Sequence, residues 1–257
     1  MARLILYNVE YLGGTTKNSL QYLDIYHYLR IKKGFDKKIA DALKPLNPDI
    51  LALVEVDRGS ARYKHKSQIE YFSNILGMKY IAHGLKYITK GIYKYVLKIP
   101  ILNTQENAIL TRYEIDTIKK HYLSKGFKRL VIEATLNTPK KMTILLAHLS
   151  LFKKTRKKQI KELAELINTY ETPLLLVGDF NVFKEKELDY LLDNTKLTDA
   201  YQEECAKHDI IYTGPSWKPK YRLDNILVTE SVNIKNYEIL NLKYSDHLPV
   251  LVDFEIE

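Results

Sequence analysis

Apolar positions along the chain fall into two rhythms. Nearly continuous short runs at residues 3–8 (RLILYN), 49–54 (DILALV) and 174–177 (LLLV) are too short for helices and read as strands, the last one buried. Residues 36–44 instead place Ile39, Ala40 and Leu43 on one helical stripe, closed by Pro45 and Pro48. A second helix is expected over 67–76 and a strand over 78–82. Four strand-like runs follow, at 107–110, 115–122, 129–136 and 143–147. Only turn residues separate them, so antiparallel pairing is expected. A long helix over 155–170 turns Ile160, Leu163, Ala164 and Ile167 to the core. A short helix near 186–192 and strands at 226–228, 234–240 and 248–254 complete the pattern.

No repeat and no linker rich in Pro, Gly or Ser interrupts this alternation. One α/β domain over residues 1–257, with two sheets covered by helices, is the expected architecture. Two stretches read as surface excursions: residues 10–34, rich in Tyr and polar groups, and residues 87–102, which interleave Tyr, Lys and Ile as a hairpin would.

Charge and cysteine usage narrow the class. The 257 residues carry 40 Lys and Arg against 31 Asp and Glu, a formal charge of +9. That excess favours anionic partners such as nucleic acid, phosphate esters or a lipid surface. Because the basic residues are spread along the chain, a solvated Lys-rich surface would read the same way. Cys205 is alone, which excludes an intrachain disulfide and a cysteine metal cluster. The opening MARLILYNVEYL is too short for a secretory signal, and no apolar run reaches membrane-spanning length. A cytoplasmic protein is expected.

Polar groups gather where the apolar runs stop. In LLLVGDFNV, Asp179 and Asn181 stand two apart and share a face of an extended chain. Asn8 and Glu10 follow the first strand, Glu55 the second, and His148 ends the run before the long helix. Asp224 precedes one late strand, and Asp246 and His247 another. Any one of these is ordinarily a solvated strand end or a turn. Six together, converging at one sheet edge, would form a carboxylate-rich pocket with two imidazoles. Hard oxygen donors without cysteine favour Mg²⁺, Mn²⁺ or Ca²⁺ over structural zinc. A hard cation beside His and Asp is equipment for hydrolysing a phosphate ester.

The ordered pieces NVEYL, LALVEV, ENAILTRYEI, AHLSLFKKTRKKQ, VGDFNV, YRLDNILV and SDHLPV resemble the endonuclease/exonuclease/phosphatase superfamily. DNase I, abasic-site endonucleases, neutral sphingomyelinases, inositol polyphosphate 5-phosphatases and deadenylases belong to it. The resemblance runs from Asn8 to Val250. It implies a DNase I-like four-layered α/β/β/α sandwich of two mainly antiparallel sheets flanked by helices. It also implies roles by position. Glu55 resembles the main metal-ligand glutamate, Asn8 the asparagine holding metal or phosphate, and Glu10 and Asp246 further acids near the metal. Asp179 resembles the aspartate that orients or deprotonates the nucleophile, and Asn181 its phosphate-contacting partner. His247 resembles the histidine that serves as base or phosphate binder, oriented by Asp224.

His148 resembles the histidine of the DNase I, sphingomyelinase and inositol phosphatase branches. In the DNase I branch it pairs with a glutamate whose position Glu106 occupies. A Glu106–His148 pair protonating the leaving oxygen is therefore expected. Arg112, Arg156 and Trp217 are the candidate substrate-binding residues, although Arg156, with Gln159, also suits a structural helix face and Arg112 a strand flank. His27, His65, His83, His121 and His208 match no motif and read as structural or solvated. The cofactor implied is Mg²⁺, with Mn²⁺ as the alternative. The expected activity is a metal-dependent phosphoesterase, foremost a phosphodiesterase acting on nucleic acid. A sphingomyelinase-like or inositol-phosphatase-like hydrolase of phospholipid or small phosphate esters is one alternative, and a non-catalytic nucleic-acid-binding module another. No obligate protein partner is inferred.

Overall fold

Strand β1 (Ala2–Asn8) explains why the first apolar run shows no alternation. Leu4 and Leu6 enter one core, whereas Ile5 and Tyr7 enter another on the opposite face. The same split recurs in β2 (Ile50–Asp57), with Ile50, Ala52 and Val54 on one side and Leu51 and Leu53 on the other. A strand covered on both faces needs no polar side. The computed structural model describes residues 1–14, 31–87, 101–171, 173–201 and 211–257. The expected 87–102 hairpin and most of the 10–34 excursion lie outside the described residues, as do His27, Cys205 and His208.

Helices α1 (Phe35–Leu43) and α2 (Gln68–Leu76) supply the outer cover of the first sheet through Ile39, Leu43, Ile69 and Phe72. Ser67 caps α2 by accepting the Glu70 N–H, and Gly77 ends it at φ 66°. That sheet is completed by β3 (Tyr80–Leu85), β4 (Gln105–Thr111), β11 (Val232–Ile239) and β12 (Val250–Ile256). The strand order is β11-β12-β1-β2-β4-β3, antiparallel throughout except for the β1–β2 pair.

The second sheet has the order β5-β6-β7-β8-β10-β9 and again a single parallel pair, β7–β8. Its strands are β5 (Ile115–Tyr122), β6 (Leu130–Leu136), β7 (Met142–His148), β8 (Leu174–Asp179), β9 (Leu197–Asp199) and β10 (Asp224–Thr229). Helices α3 (Lys153–Ile167) and α4 (Asp189–Asn194) cover its outer face. Leu6, Val54, Ile144, Leu146, Val177 and Ile226 meet in the core between the sheets. Helix, sheet, sheet and helix therefore stack as the expected sandwich. Strand β9, three residues long, has no counterpart in the sequence expectation. No helix among the described residues is long and apolar enough to cross a membrane.

Both parallel pairs end on the same rim. Asn8 and Glu55 stand at the carboxyl ends of β1 and β2, while His148 and Asp179 are in register at the ends of β7 and β8. Asp224 opens β10 directly opposite Asp179. Gly178 makes the close approach of β7 and β8 possible. Its φ is 150°, and a Cβ there would lie 1.8 Å from the Ala147 carbonyl oxygen.

Candidate active site

Three acid or amide residues on the rim are held in the left-handed backbone region: Glu10 at φ 47°, Glu55 at φ 58° and Asn181 at φ 52°. For Glu this is a strained setting that the surroundings must impose. At Glu55 the cause is a bulge, where the β2–β4 register shifts between Leu53 and Val56. The Glu55 N–H, released from the ladder, donates to Asn107 Oδ1 at 3.1 Å. Glu10 N donates to Asn8 Oδ1 at 3.1 Å, which fixes the turn after β1.

Asp179 is the hub. Asn8 Nδ2 donates to its Oδ2 at 3.1 Å, and the Asn181 N–H donates to its Oδ1 at 3.0 Å. His148 Nε2 lies 3.1 Å and His247 Nε2 3.9 Å from the same Oδ2. Burial alone would raise the Asp179 pKa, but His148, His247 and Lys128 outweigh it and hold the carboxyl far below its usual range. His247 Nδ1 contacts Asp224 Oδ2 at 2.6 Å. Burial opposes charge on His247, yet Asp224, Asp246 and Asp179 lift its pKa well above the ordinary imidazole value. The state this favours is an imidazolium clamped between carboxylates. Thr213 Oγ1 accepts the Asp224 N–H at 3.1 Å, and the Leu248 N–H donates to the Thr213 carbonyl at 2.7 Å, so two loops meet at this pair.

Glu55 faces two lysines. Lys86 Nζ donates to Glu55 Oε1 and to the Tyr11 hydroxyl, both at 2.8 Å. Lys128 Nζ is 3.8 Å from the same Oε1 and rests against His148 Nε2. Burial would raise the Glu55 pKa, but Lys86, Lys128 and His148 lower it to about 2. The His148 pKa falls to about 4, first through burial and then through the Lys128 charge, against the pull of Asp179.

A cavity of about 650 Å³ opens over this rim. Glu10, Glu55, Lys128, Asp179, Asn181, Asp246 and His247 line it on one side, and Leu151, Phe183, Pro215, Trp217, Tyr221 and Leu223 on the other. Phe183 and Tyr221 pack edge to face, with ring centroids 5.1 Å apart.

The donor set fits a hard divalent cation. Glu10, Glu55, Asp179 and Asp246 present carboxylates and Asn181 an amide to one cavity. Asp224 Oδ1 is buried without a hydrogen-bond partner. Of the residues expected to hold Mg²⁺ or Mn²⁺, Glu10, Glu55 and Asp246 line the cavity, while the Asn8 amide is bonded to Asp179 and to the Glu10 N–H.

Several expectations need correction. Glu106 does not pair with His148. Its Oε2 contacts His83 Nδ1 at 2.5 Å and its Oε1 lies 3.4 Å from Arg58 Nε. Adjacent residues of β4 point to opposite faces, so it is Asn107 that reaches the rim. His148 lies instead between Asp179, Glu55 and Lys128, and burial together with the Lys128 charge disfavours the imidazolium that was expected to protonate the leaving oxygen. His83 is accordingly the buried glutamate's partner. Arg112 lies at the far end of β4, beyond the Thr111–Ile50 pairing, where its guanidinium faces Asp49 at 4.0 Å and the Leu76 carbonyl at 3.4 Å. Arg156 is buried, donating to the Ser150 and Leu151 carbonyls at 3.0 and 2.8 Å and pairing with Glu187 at 2.7 Å. It shapes the loop after β7 and does not face the cavity. Trp217 does line the cavity.

Lys86, Lys128, Asn107 and Tyr11 went unnoticed in the sequence. The alternating face of ENAIL was the one signal available, and it pointed to Asn107 as readily as to Glu106.

A two-sheet sandwich with this acid, amide and imidazole rim is the build of a phosphate-ester hydrolase. The Endonuclease/Exonuclease/phosphatase family model matches residues 13–247, and the chain belongs to that family. Solved structures share the fold. An endonuclease/exonuclease/phosphatase from Beutenbergia cavernae has a TM-score of 0.76 at 15% identity, with 99% of this chain and 71% of that one covered. A mannosyl-6-phosphatase from Bacteroides thetaiotaomicron has 0.71 at 18%, with both chains fully covered. The human Nocturnin catalytic domain with a bound sulfate has 0.70 at 18%, covering 100% of this chain and 93% of that one. No curated protein matches the sequence.

Proposed function

We propose that the protein is a metal-dependent phosphodiesterase acting on nucleic acid. The observation that carries this reading is one cavity with two unlike walls. A wall of charged and amide groups suits a phosphate, and the wall of Phe183, Trp217 and Tyr221 suits a flat base or sugar ring. The formal charge of +9 favours a polyanionic substrate.

A divalent cation at Glu55, Glu10, Asn8 and Asp246 would polarise the phosphoryl oxygen and offset charge on the leaving oxygen. The chain's own groups do the rest. Asp179, fixed by Asn8 and by the Asn181 N–H, accepts a hydrogen bond from the attacking water and aims it at phosphorus; so acidic a carboxyl orients the water and hands its proton on to solvent as the bond to phosphorus forms. His247, charged and held by Asp224, donates to a non-bridging oxygen as negative charge builds there. Between the two roles open to this histidine, its raised pKa favours phosphate binder over base. The Asn181 side chain donates to the Leu149 carbonyl at 2.9 Å, which ties the loop after β8 to that after β7.

A lipid phosphodiester is the second reading. Leu151 at the cavity wall is 56% exposed and Phe152 beside it 73%, as a surface that touches acyl chains would be. Mg²⁺-dependent product release from plasmid DNA, a short RNA, bis-p-nitrophenyl phosphate, sphingomyelin and an inositol phosphate decides between them. Turnover of sphingomyelin alone would overturn the nucleic-acid reading. Absence of turnover on all five, with salt-sensitive DNA binding retained, would mark a binding module instead.

A further inference from the structure

We infer that Lys128 is a built-in phosphate ligand, a fixed cation that takes a non-bridging oxygen of the substrate beside the metal position, and that Lys86 is the positioning residue that frees it to do so. The two lysines are not equivalent. Lys86 is spent inside the protein, bonded to Glu55 Oε1 and the Tyr11 hydroxyl at 2.8 Å each. It is absent from the cavity wall, whereas Lys128 lines it.

Lys128 is poorly matched where it stands. Its closest carboxylate among the described residues, Glu55 Oε1, is 3.8 Å away and already holds Lys86. Its direct neighbour is no anion but the His148 Nε2, itself 3.1 Å from Asp179. A largely enclosed ammonium, with its side chain 17% exposed and no close anion, is costly to keep. An arriving phosphoryl oxygen would supply the missing anion as a charge-assisted hydrogen bond.

The lysine is also held in place. Gln159 of α3 donates from Nε2 to the Lys128 carbonyl at 2.6 Å and the Lys125 carbonyl at 2.8 Å, and accepts the Ser150 N–H at Oε1 at 2.8 Å. The turn between β5 and β6 is thus tied to the loop after His148. On this geometry Lys128, Asn181 and His247 face one cavity around the Asp179 hub. His148 Nε2 cannot accept from Lys128 and donate to Asp179 at once. A phosphate that draws Lys128 away leaves His148 free to donate to Asp179.

Resting on the phosphoesterase reading above, the assignment predicts phosphate affinity that needs no metal. The full chain is titrated with inorganic phosphate in EDTA by calorimetry, beside Mg²⁺ titration and turnover of bis-p-nitrophenyl phosphate. Wild type is expected to bind phosphate without metal. Lys128→Met should weaken that binding roughly tenfold or more, the loss of one charge-assisted hydrogen bond. Lys128→Arg should restore part of it, and neither variant should melt below wild type.

If Lys128 merely neutralises Glu55, Lys128→Met tightens Mg²⁺ and leaves phosphate binding unchanged, which overturns the proposal. A wild type that turns over substrate but binds no phosphate in EDTA overturns it too, leaving the function standing. Metal-free phosphate binding lost in Lys128→Met, with no turnover of any ester, would keep the lysine assignment and sink the function.

Discussion

His247 Nδ1 lies 2.6 Å from Asp224 Oδ2, and both side chains are buried. The contact joins the loop before β12 to the start of β10. With Asp224 as the first of three carboxylates lifting the imidazole pKa, the pair sets the protonation state at the rim. Asp224→Asn should lower Mg²⁺-dependent kcat/KM about a hundredfold or more, the scale of losing one donor to the developing charge. His247 would then lose its proton at lower pH, so the basic limb of the pH–rate profile should move down. A pH profile recorded beside a melting curve tests this. An unmoved basic limb would contradict the charged role given to His247.

Metal dependence should track Glu55. EDTA should abolish turnover, with Mg²⁺ or Mn²⁺ restoring it, and Glu55→Gln should weaken the metal response most. The same change removes the anion facing Lys86 and Lys128, so stability should fall by about 3 kcal/mol, the scale of breaking a buried ion pair. Metal titration and urea denaturation separate the two effects.

Acid should unfold the metal-free protein in two windows. His148 titrates at about 4 in the fold against 6.5 unperturbed, so the unfolded chain binds the proton more readily between those values. Stability present above pH 6.5 is therefore lost as pH falls towards 4. Glu55, lowered from 4.5 to about 2, adds a second loss between those values. Denaturant midpoints measured against pH should show both, and His148→Asn should flatten the upper one.

Adjacent residues of β4 should separate cleanly. Glu106→Gln should disturb stability, through Arg58 and His83, and leave turnover near wild type. Asn107→Ala removes the acceptor of the Glu55 N–H, so turnover and metal affinity should drop. Steady-state kinetics on the two variants, each with its melting temperature, makes the comparison. The reverse outcome would restore the glutamate to the site.

Gly178→Ala should cost about 3 kcal/mol, the upper range of overpacking, because a Cβ meets the Ala147 carbonyl oxygen at 1.8 Å. Because Ala147 and Gly178 flank His148 and Asp179 in register, activity should fall with stability. The denaturant midpoint and the turnover rate should shift together.

The central strands were legible because β1, β2, β7 and β8 are covered on both faces and so read as unbroken apolar runs. The tips Asp179, Asn181, Asp246 and His247 were legible because short dense motifs carry them. Lys86 and Lys128 were not. Lysine is common at surfaces, and the burial of Lys86 and the partial enclosure of Lys128 come from Glu55 contacts across sequence separations no local pattern spans. Glu106 was misread because one residue along a strand changes the face. Arg156 was misread because an arginine on a helix looks alike whether it meets substrate or closes a loop.

Strand β12 lies beside β1, and His247 precedes it by only a few residues. Strand β1 therefore waits for β12 before its outer edge is covered. A ribosome-bound chain that has released only as far as β10 holds Asp179 and Asp224 but not the imidazole between them. Until β12 has joined β1, the charged imidazole that the rim depends on has no fixed place.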